Sequence, residues 1–420
     1  MEMRPFGVLI PAEEARRRLL VSVVPVSRTE RIPVERALGR ISAETVRVTR
    51  PVPAFARASW DGYAVRRADT LGSSPGAPVT LRVVGEVYAE GRYRRPLRPG
   101  ESVAIATGGA VPSGADAIAI FEEVERRGQE IRVPGPVRRG ERIAPPGSDM
   151  PRGLRIVDRG KGLSPSELGA LAAVGRTTVR VYARPRVAVV PNGNELISPG
   201  RRARPGAIYE SNNAMLAAVI EAAGGIPCLY RPVPDRADRI EAAVRSALRR
   251  ADLVLATGGS SVGERDFLPQ VLPRLGRLLF HGVAVRPGKP TLAAVAGRRL
   301  IVGLPGHPAS CLSNMYWLLL PVLRRLGRRP GPGWTEERWS LGARLTGGAP
   351  GLSTVVPLEL RDGRAYPTFR GSHSITSLRG AGAFLLRPPG APALPRGRVV
   401  PVARLDPPLG PSGPVSGANR

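Results

Sequence analysis

The segment DLVLATGGSSVGERD, residues 252–266, carries the clearest candidate for a binding site. Its apolar first part predicts a buried strand, and the polar part that follows contains a glycine pair, a serine pair and acids. Glycines let backbone N–H groups approach an anion closely, and the hydroxyl groups add hydrogen-bond donors. The predicted substrate contacts in this segment are Thr257, Gly258, Gly259, Ser260 and Ser261. The structural alternative is a tight strand-to-helix turn that a serine caps.

Two further loops follow predicted strands and suit an anion. VRPGKPT places Arg286 and Lys289 three residues apart across a Pro-Gly bend, and Lys289 is one of only two lysines in the chain. Because nearly all the other basic residues are arginines, a lysine retained at this position favours a specific role as a phosphate contact. GLPGHPAS is a glycine-rich turn into a helix at Pro308, and helix N-termini attract anions. His307 is interpreted as a residue at the start of that helix, and Cys311 as buried helix core.

Three carboxylates are expected around the same sheet edge. Glu195 lies just past the first predicted strand of this part of the chain, Asp235 follows a strand that ends near Val233, and Asp266 closes the glycine segment. Carboxylates bind Mg²⁺ together with substrate phosphates and water. The three residues are therefore the predicted metal ligands. A solvated loop at Glu195 and a helix cap at Asp235 are the structural alternatives.

The N-terminal half contains three more polar clusters. ASWDGYA centres on Asp61, ATGGAVP on Thr107, and GSDM on Asp149. Acids in glycine turns are more often structural than functional, so none of the clusters identifies a site by itself.

Hydrophobic periodicity indicates which elements position these residues. From 183 to 330, apolar strands alternate with amphipathic helices, which predicts a mainly parallel sheet covered on both faces. Short strand-like runs between Gly/Pro turns predict β-rich domains on either side. The expected parts are a mixed N-terminal domain at 1–50 plus 143–182, a β-rich domain at 51–142, the α/β domain at 183–330, a C-terminal β domain at 331–408 and a tail at 409–420.

Helix start and stop signals add detail to this division. Ser164, Pro165 and Gly175 delimit a helix over 165–174. Further helices are predicted over 211–223, over 235–250 and from 308 to about 326, the last with a kink at Pro321.

Composition excludes several classes of protein. Two cysteines and three histidines leave no disulfide framework or cysteine-rich zinc site. The longest dense apolar run, Met315–Leu323, is too short to span a membrane, and the N-terminus has no secretory signal pattern, so a cytoplasmic protein is expected. The net charge of +29 raises the possibility of nucleic-acid binding. However, the basic residues are almost all arginine and are spread along the chain. A compositional bias therefore explains the charge better than nucleic-acid binding does, and no nucleic-acid partner is expected.

Eight segments, in this order, resemble those of the molybdopterin molybdenumtransferases, the MoeA-like family that includes the gephyrin E domain. They are WDGYAV, ATGGAVPSGADAI, PPGSDM, PNGNEL, ATGGSSVGERDF, VAVRPGKP, GLPGHPAS and GSHSITSL. The resemblance extends from about residue 8 to 405. It implies an α/β and β multidomain fold with a central three-layer α/β molybdopterin-binding domain and a β-rich domain inserted into the first. It also implies a homodimer whose active sites combine residues of both subunits.

The family's reaction inserts molybdenum from molybdate, or tungsten, into adenylylated molybdopterin and releases AMP, with Mg²⁺ assisting. A molybdopterin adenylyltransferase is the implied upstream partner. The resemblance implies that Asp61, Thr107 and Asp149 reach the site from the partner subunit and act with Glu195 and Asp266. The remaining implied substrate contacts are Gly288, Pro305, Gly306 and Ser372.

This sequence departs from the family pattern at four positions. Gly282 stands where the family commonly has a lysine, and Arg286 replaces the first lysine of its KPGKP loop, which puts oxyanion positioning in question. His307 stands where Asn is common, and Trp60 where Met or Val is common. The alternative functions are a molybdopterin adenylyltransferase, whose family shares only the α/β domain, and a scaffold that binds molybdopterin without turnover.

Overall fold

The computed structural model describes residues 8–261, 263 and 266–406. The chain forms two compact units, of which one is Glu30–Val181 and the other combines Met1–Thr29 with Tyr182–Arg420. The first 29 residues therefore group with the second half of the chain rather than with the mixed N-terminal domain. Three small or apolar side chains explain this grouping, because Ala12, Ala15 and Leu19 are buried in the core of the larger unit.

A six-stranded sheet forms the centre of the larger unit. Its strands are β1 Arg186–Pro191, β2 Ile226–Leu229, β3 Leu253–Thr257, β4 Arg277–His281, β5 Leu292–Ala296 and β6 Arg299–Leu304. They lie in the order β2-β1-β3-β6-β5-β4. The first four are parallel, whereas β5 and β4 are antiparallel to their neighbours. The predicted parallel sheet is correct for β2, β1, β3 and β6, but a tight turn through Gly297 returns the chain directly from β5 to β6.

Helices cover both faces of this sheet. They are α1 Ala12–Ser22, α2 Asn212–Ala222, α3 Ala237–Arg250, α4 Leu268–Leu275, α5 Pro308–Asn314 and α6 Leu320–Leu326. Alternate side chains of a strand face opposite sides of a sheet. Accordingly, Val187 and Val189 lie in the core with α1, α2, α5 and α6, whereas Ala188 and Val190 pack against α3 and α4. The result is the expected three-layer arrangement.

A π-helical turn, Met315–Leu319, joins α5 to α6. The helix therefore extends over the predicted range, but the turn, rather than a simple kink, precedes Pro321. The N–H of Leu320 donates to the carbonyl of Met315, five residues earlier. Wider turns of this kind accommodate a residue that lacks an N–H group.

A second, seven-stranded sheet belongs to the same unit. Its strands are Ile10–Pro11, Val283–Arg286, Trp334–Leu341, Ser353–Arg361, Arg364–Pro367, Ala383–Arg387 and Val399–Leu405. Val283–Arg286 pairs in parallel with Ser353–Arg361 through Val285 and Arg286. The loop after Arg286 therefore begins at the C-terminal sheet and not at the edge of the α/β sheet. A short parallel pair, Leu196–Ile197 with Ile208–Tyr209, completes the strands of the unit.

The unit Glu30–Val181 contains a six-stranded sheet and three pairs of short strands. In spatial order the sheet strands are Ala117–Ile120, Gly62–Val65, Glu101–Ile105, Val79–Val87, Glu130–Val133 and Glu125–Arg127. The short pairs are Ile143–Ala144 with Arg57–Ala58, Arg155–Val157 with Val46–Arg47, and Thr178–Tyr182 with Thr29–Pro33.

The helix Pro165–Ala173 of this unit begins where the sequence predicts. Ser164 and Glu167 form a capping box at its start, and Gly175 has a φ of +78° just past its end. Across the described residues, no helix has the length and apolar character that a membrane span requires.

Candidate functional site

The loops after β1, β3 and β6 enclose a cavity of about 640 Å³ at the carboxyl edge of the α/β sheet. Parallel strands end at the same edge, so their following loops converge there. The structure brings together most of the site residues that the sequence predicts. Those lining this main cavity are Thr257, Gly258, Gly259, Ser260, Ser261, Glu195, Asp235, Asp266, Pro305 and Gly306.

Close backbone packing explains the glycines of these loops. Gly258 has a φ of +86°, and a Cβ placed there would lie 2.3 Å from the carbonyl oxygen of Asn192. Gly306 packs less closely against Gly258, since a Cβ placed there would lie 3.3 Å from the Cα of Gly258, a tight contact. The three loops therefore approach one another through their backbones.

The cavity contains three buried polar atoms that have no hydrogen-bond partner among the described residues. They are Oδ1 of Asn192, Oδ1 of Asn212 and Oγ1 of Thr257, in side chains that are 3%, 6% and 1% exposed. The amide nitrogens of both asparagines donate to loop carbonyls, at Gly258 and Gly306 respectively. Because those carbonyls only accept, the amide oxygens must be the unpaired atoms. A ligand that donates hydrogen bonds would satisfy them.

The three predicted metal ligands line the same cavity but do not form a metal centre by themselves. No group of three or more His, Cys, Asp or Glu side chains in the described chain is arranged to hold a metal ion. Two of the carboxylates accept backbone hydrogen bonds instead, Asp266 within its own loop and Asp235 from the loop after β1. Asp266 accepts from the N–H of Gly263 at 2.8 Å, and Asp235 from the N–H of Asn194 at 3.0 Å. A set of three protein ligands is therefore not preformed.

A fourth acid, Glu210, also lines the main cavity. Its side chain is buried, and burial raises its pKa although the backbone N–H of Asn213 donates to it. Neither Glu210 nor the two asparagines of the floor was a predicted site residue. The available signal was the position of Asn192, directly after β1, and of Glu210 and Asn212, at the start of α2.

A second cavity of about 450 Å³ adjoins the first, and Pro305 and His307 line both. It is lined by Arg286, Gly288, Lys289 and Ser372, which are four of the predicted substrate contacts. The carbonyl of Ser372 accepts from the N–H of Ala309, so the C-terminal domain is tied to the first turn of α5. As predicted, His307 stands at the start of this helix and Cys311 is buried in it.

The remaining predicted residues lie in the unit Glu30–Val181. Asp61 accepts two hydrogen bonds from Thr107, at 2.6 Å from the backbone N–H and 2.9 Å from the hydroxyl. These bonds lower the pKa of Asp61, the backbone bond first. Asp149 is an exposed residue whose N–H donates to the carbonyl of Val52. The structure thus joins Asp61 and Thr107 into one pair and keeps all three side chains at the surface of the unit.

Family models match the chain in three consecutive parts. The model of the MoeA N-terminal region (domain I and II) matches residues 10–175, a probable molybdopterin binding domain matches 188–325, and the MoeA C-terminal region (domain IV) matches 344–405. A molybdopterin molybdenumtransferase of Bacillus subtilis is 32% identical over 408 residues, which are 94% of this chain and 93% of the relative. The chain belongs to the molybdopterin molybdenumtransferase family. The resemblance predicted from the eight segments is therefore confirmed.

Solved structures agree with this membership. A molybdopterin biosynthesis MoeA protein from Pyrococcus horikosii is 34% identical, with a TM-score of 0.84 over 94% of this chain and 99% of that chain. A second structure, from Pyrococcus horikoshii OT3, is 28% identical, with a TM-score of 0.79 over 94% of this chain and 100% of that chain. The predicted fold class, α/β and β multidomain, is confirmed for this molybdopterin molybdenumtransferase family member.

Proposed function

We infer that this enzyme inserts molybdenum into molybdopterin during cofactor biosynthesis. The observation that carries the inference is the match of 94% of the chain to a relative named for that transfer. The site supports it, because one continuous region combines backbone-lined loops for a phosphate chain, hydrogen-bond acceptors for a heterocycle and a basic cavity for an oxyanion. An adenylyltransferase, whose family shares the α/β domain alone, does not account for the other two family regions.

The proposed substrate is adenylylated molybdopterin, whose pyrophosphate lies along Gly258, Gly259, Ser260 and Ser261. Hydrolysis breaks its phosphoanhydride bond, so that water supplies the oxygen and AMP leaves. The N–H of Gly258 donates to the carbonyl of Leu304 at 3.1 Å, so Gly258 contributes close backbone approach. The proposed phosphate donors are the N–H groups of the residues after it and the two serine hydroxyls. The function requires an adenylation reaction upstream, which is the role proposed for a molybdopterin adenylyltransferase.

The pterin ring is placed on the floor of the main cavity. A pterin carries an amino group and a ring N–H, and both donate hydrogen bonds. The unpaired oxygens of Asn192 and Asn212 are acceptors, which an anion would not satisfy. The floor and the loops are therefore suited to opposite ends of the same ligand.

Mg²⁺ is proposed to accompany the pyrophosphate. Four acids line the main cavity, namely Glu195, Glu210, Asp235 and Asp266, and none of its described lining residues is lysine or arginine. A pyrophosphate entering such a cavity requires a cation to offset the carboxylate charge. One or two carboxylates with substrate phosphates form a usual magnesium site, which fits the absence of a preformed three-ligand centre among the described residues. The bound ion would neutralise phosphate charge as the anhydride breaks.

The second cavity is proposed to bind the metal oxyanion. Arg286, Lys289 and the hydroxyl of Ser372 line it, and these groups donate hydrogen bonds to a tetrahedral dianion. Molybdate and tungstate are dianions of similar size, so both are expected to bind there. Turnover with each anion at micromolar concentration measures the preference.

A homodimer is proposed in which Asp61, Thr107 and Asp149 of one copy act with the cavity of the other. Mixing two inactive variants, Asp61→Asn and Asp266→Asn, tests it. If sites are shared between subunits, each mixed dimer carries one intact site of two. An equimolar mixture, in which about half of the dimers are mixed, should therefore recover about a quarter of wild-type turnover. Recovery no greater than the sum of the two variants measured separately would contradict a shared site.

Release of AMP tests the function itself. The purified enzyme with adenylylated molybdopterin, Mg²⁺ and molybdate should release AMP and form active cofactor. Asp266→Asn preserves the hydrogen-bond acceptor for Gly263 but removes the charge, and turnover should fall by roughly 100-fold. Asp238→Asn, an exposed acid on α3, is the matched control and should leave turnover unchanged.

The assay also separates the alternatives. Release of pyrophosphate from ATP with free molybdopterin would identify an adenylyltransferase instead. Tight binding of adenylylated molybdopterin without AMP release would identify a scaffold, and either result would refute the proposed transfer.

A further inference from the structure

A buried polar network lies directly behind the basic loop of the second cavity. Its centre is Asn314, the last residue of α5, whose side chain is fully buried. Its Nδ2 donates to Oγ1 of Thr291 at 2.6 Å and to the carbonyl of Gly288 at 3.2 Å. Its Oδ1 accepts from Nε1 of Trp317 at 2.8 Å. One side chain thus joins the loop to the helix.

The orientation of this amide follows from its partners. The indole N–H of Trp317 can only donate, so the atom facing it must be the amide oxygen. The amide nitrogen then faces the loop. The hydroxyl of Thr291 accepts from it and donates in turn to the carbonyl of Gly288 at 2.7 Å. Every member of the triangle has a consistent donor and acceptor role.

The loop is shaped to meet this amide. Gly288 has a φ of +113°, and a Cβ placed there would lie 2.3 Å from Oδ1 of Asn314. The carbonyl of Lys289 accepts from the N–H groups of Val283 and Thr291, both at 2.9 Å. The backbone of the loop is therefore held from the inside, whereas the side chains of Arg286 and Lys289 are exposed.

The helix end of the network also belongs to the second cavity. His307 and Ser310, before and on α5, line it together with Arg286 and Lys289. Asn314 therefore links two walls of the same cavity. A polar network inside an apolar core adds little stability compared with apolar side chains of the same volume, but it selects one geometry.

We propose that Asn314 is a positioning residue for oxyanion binding, which holds Arg286 and Lys289 at the distance from α5 that a tetrahedral dianion requires. This rests on the proposed function of the second cavity. The loop arm of the network acts through Thr291, and the helix arm acts through Trp317. Only the loop arm should control the affinity for the anion.

Four variants of the full-length enzyme separate the two arms. Thr291→Val removes the loop arm alone and Asn314→Leu removes both arms, and each should raise the KM for molybdate roughly tenfold while kcat at saturating molybdate changes less than about twofold. Trp317→Phe removes the helix arm and should lower Tm with an unchanged KM. Ser313→Ala is the matched control, because the buried Ser313 hydroxyl has no partner among the described residues, and it should change neither quantity.

A double-mutant cycle with Lys289→Ala completes the test. Since Asn314 acts through the loop, Asn314→Leu should add little to the KM in the Lys289→Ala background. Suppose that Lys289→Ala alone raises the KM for molybdate. The positioning role is then overturned if Thr291→Val leaves this KM unchanged, or if Trp317→Phe raises it as much as Thr291→Val does. If Lys289→Ala also leaves the KM unchanged, the assignment of the anion to the second cavity fails first. Thr291→Val is nearly isosteric and keeps the test available if Asn314→Leu does not fold.

Discussion

Two adjacent glycines of the main cavity allow the effect of backbone packing to be separated from that of backbone conformation. Gly258 and Gly259 both have positive φ, +86° and +60°. Alanine at either position is destabilised by about 1–2 kcal/mol in that backbone conformation. At both positions, the smaller conformational entropy of the unfolded chain offsets about 0.4–1 kcal/mol of this cost. The nearest non-neighbouring atom to an added Cβ lies 2.3 Å away at Gly258, on Asn192, but 3.7 Å away at Gly259, on Phe267.

The difference between the two alanine variants therefore reports mainly the overlap, because a φ of +60° lies inside the left-handed region and +86° lies only slightly beyond it. Relief of the overlap at Gly258 requires movement of the Asn192 backbone, which costs about 1–3 kcal/mol more than Gly259→Ala. The midpoint of thermal unfolding should be lower by roughly 5 °C in Gly258→Ala than in Gly259→Ala. Because Asn192 also supplies a floor acceptor, Gly258→Ala should raise the KM for adenylylated molybdopterin severalfold more than Gly259→Ala does.

Thermal unfolding and AMP release measure the two expectations in the same preparations. Equal losses of stability in the two variants would refute the steric argument, since both share the conformational cost. A KM that rises equally in both would refute the link between Gly258 and the position of Asn192.

Three further predictions concern residues outside the cavities. Burial raises the pKa of Asp252, but the guanidinium of Arg28 and a backbone N–H outweigh it and hold that pKa below its usual range. A carboxyl group whose pKa is lower in the folded than in the unfolded protein stabilises the fold at pH values above its unfolded pKa of about 4. That stabilisation is lost as the pH falls through the folded pKa. The urea concentration at the unfolding midpoint should therefore fall more between about pH 5 and about pH 3 in the wild type than in Asp252→Asn. Burial raises the pKa of the Cys311 thiol, so a thiol reagent should modify the partly exposed Cys228 first, and equal rates in native protein would contradict the buried position. Ser164→Ala removes a capping box and should cost about 1 kcal/mol in urea unfolding without changing turnover.

Local signals predicted the main cavity well. The run from Leu253 to Thr257 is apolar throughout, so it must be a buried strand, and the glycines after it must form the turn at its carboxyl end. The same reasoning placed Glu195, Asp235 and Asp266 at one edge, because parallel strands end together. The order of strands and loops along the chain was therefore sufficient to predict which residues share this edge.

Long-range pairing could not be predicted in the same way. Val283–Arg286 leaves the α/β sheet and pairs with Ser353, about seventy residues later, through backbone groups that every residue carries. Asn314 likewise meets Gly288 and Thr291 only because α5 and the loop pack together. No periodicity marks an asparagine as the end of a network, so both features required coordinates.

Carboxylate geometry was also beyond the sequence. The order of the strands locates side chains at a sheet edge only to within several ångströms. Metal coordination, in contrast, requires oxygens within about 2.1 Å of one ion. Asp235 accepts from a backbone N–H of a neighbouring loop, and Asp266 accepts from a backbone N–H of its own loop. The predicted ligands therefore reach the cavity without forming a centre among the described residues, and the substrate phosphates become part of the proposed site.

The sign of the charge around each cavity, rather than the net charge of +29, distinguishes the ligands that we propose for the two cavities. In a chain so rich in arginine, the described lining of the main cavity contains four acids and no lysine or arginine, whereas Arg286 and Lys289 line the second. On the proposed function, a free dianion is repelled by the first set of charges and attracted by the second, whereas a pyrophosphate whose charge Mg²⁺ offsets is no longer excluded from the first. We therefore expect the two proposed ligands, which both carry phosphate-like oxygens, to occupy adjacent cavities without competing.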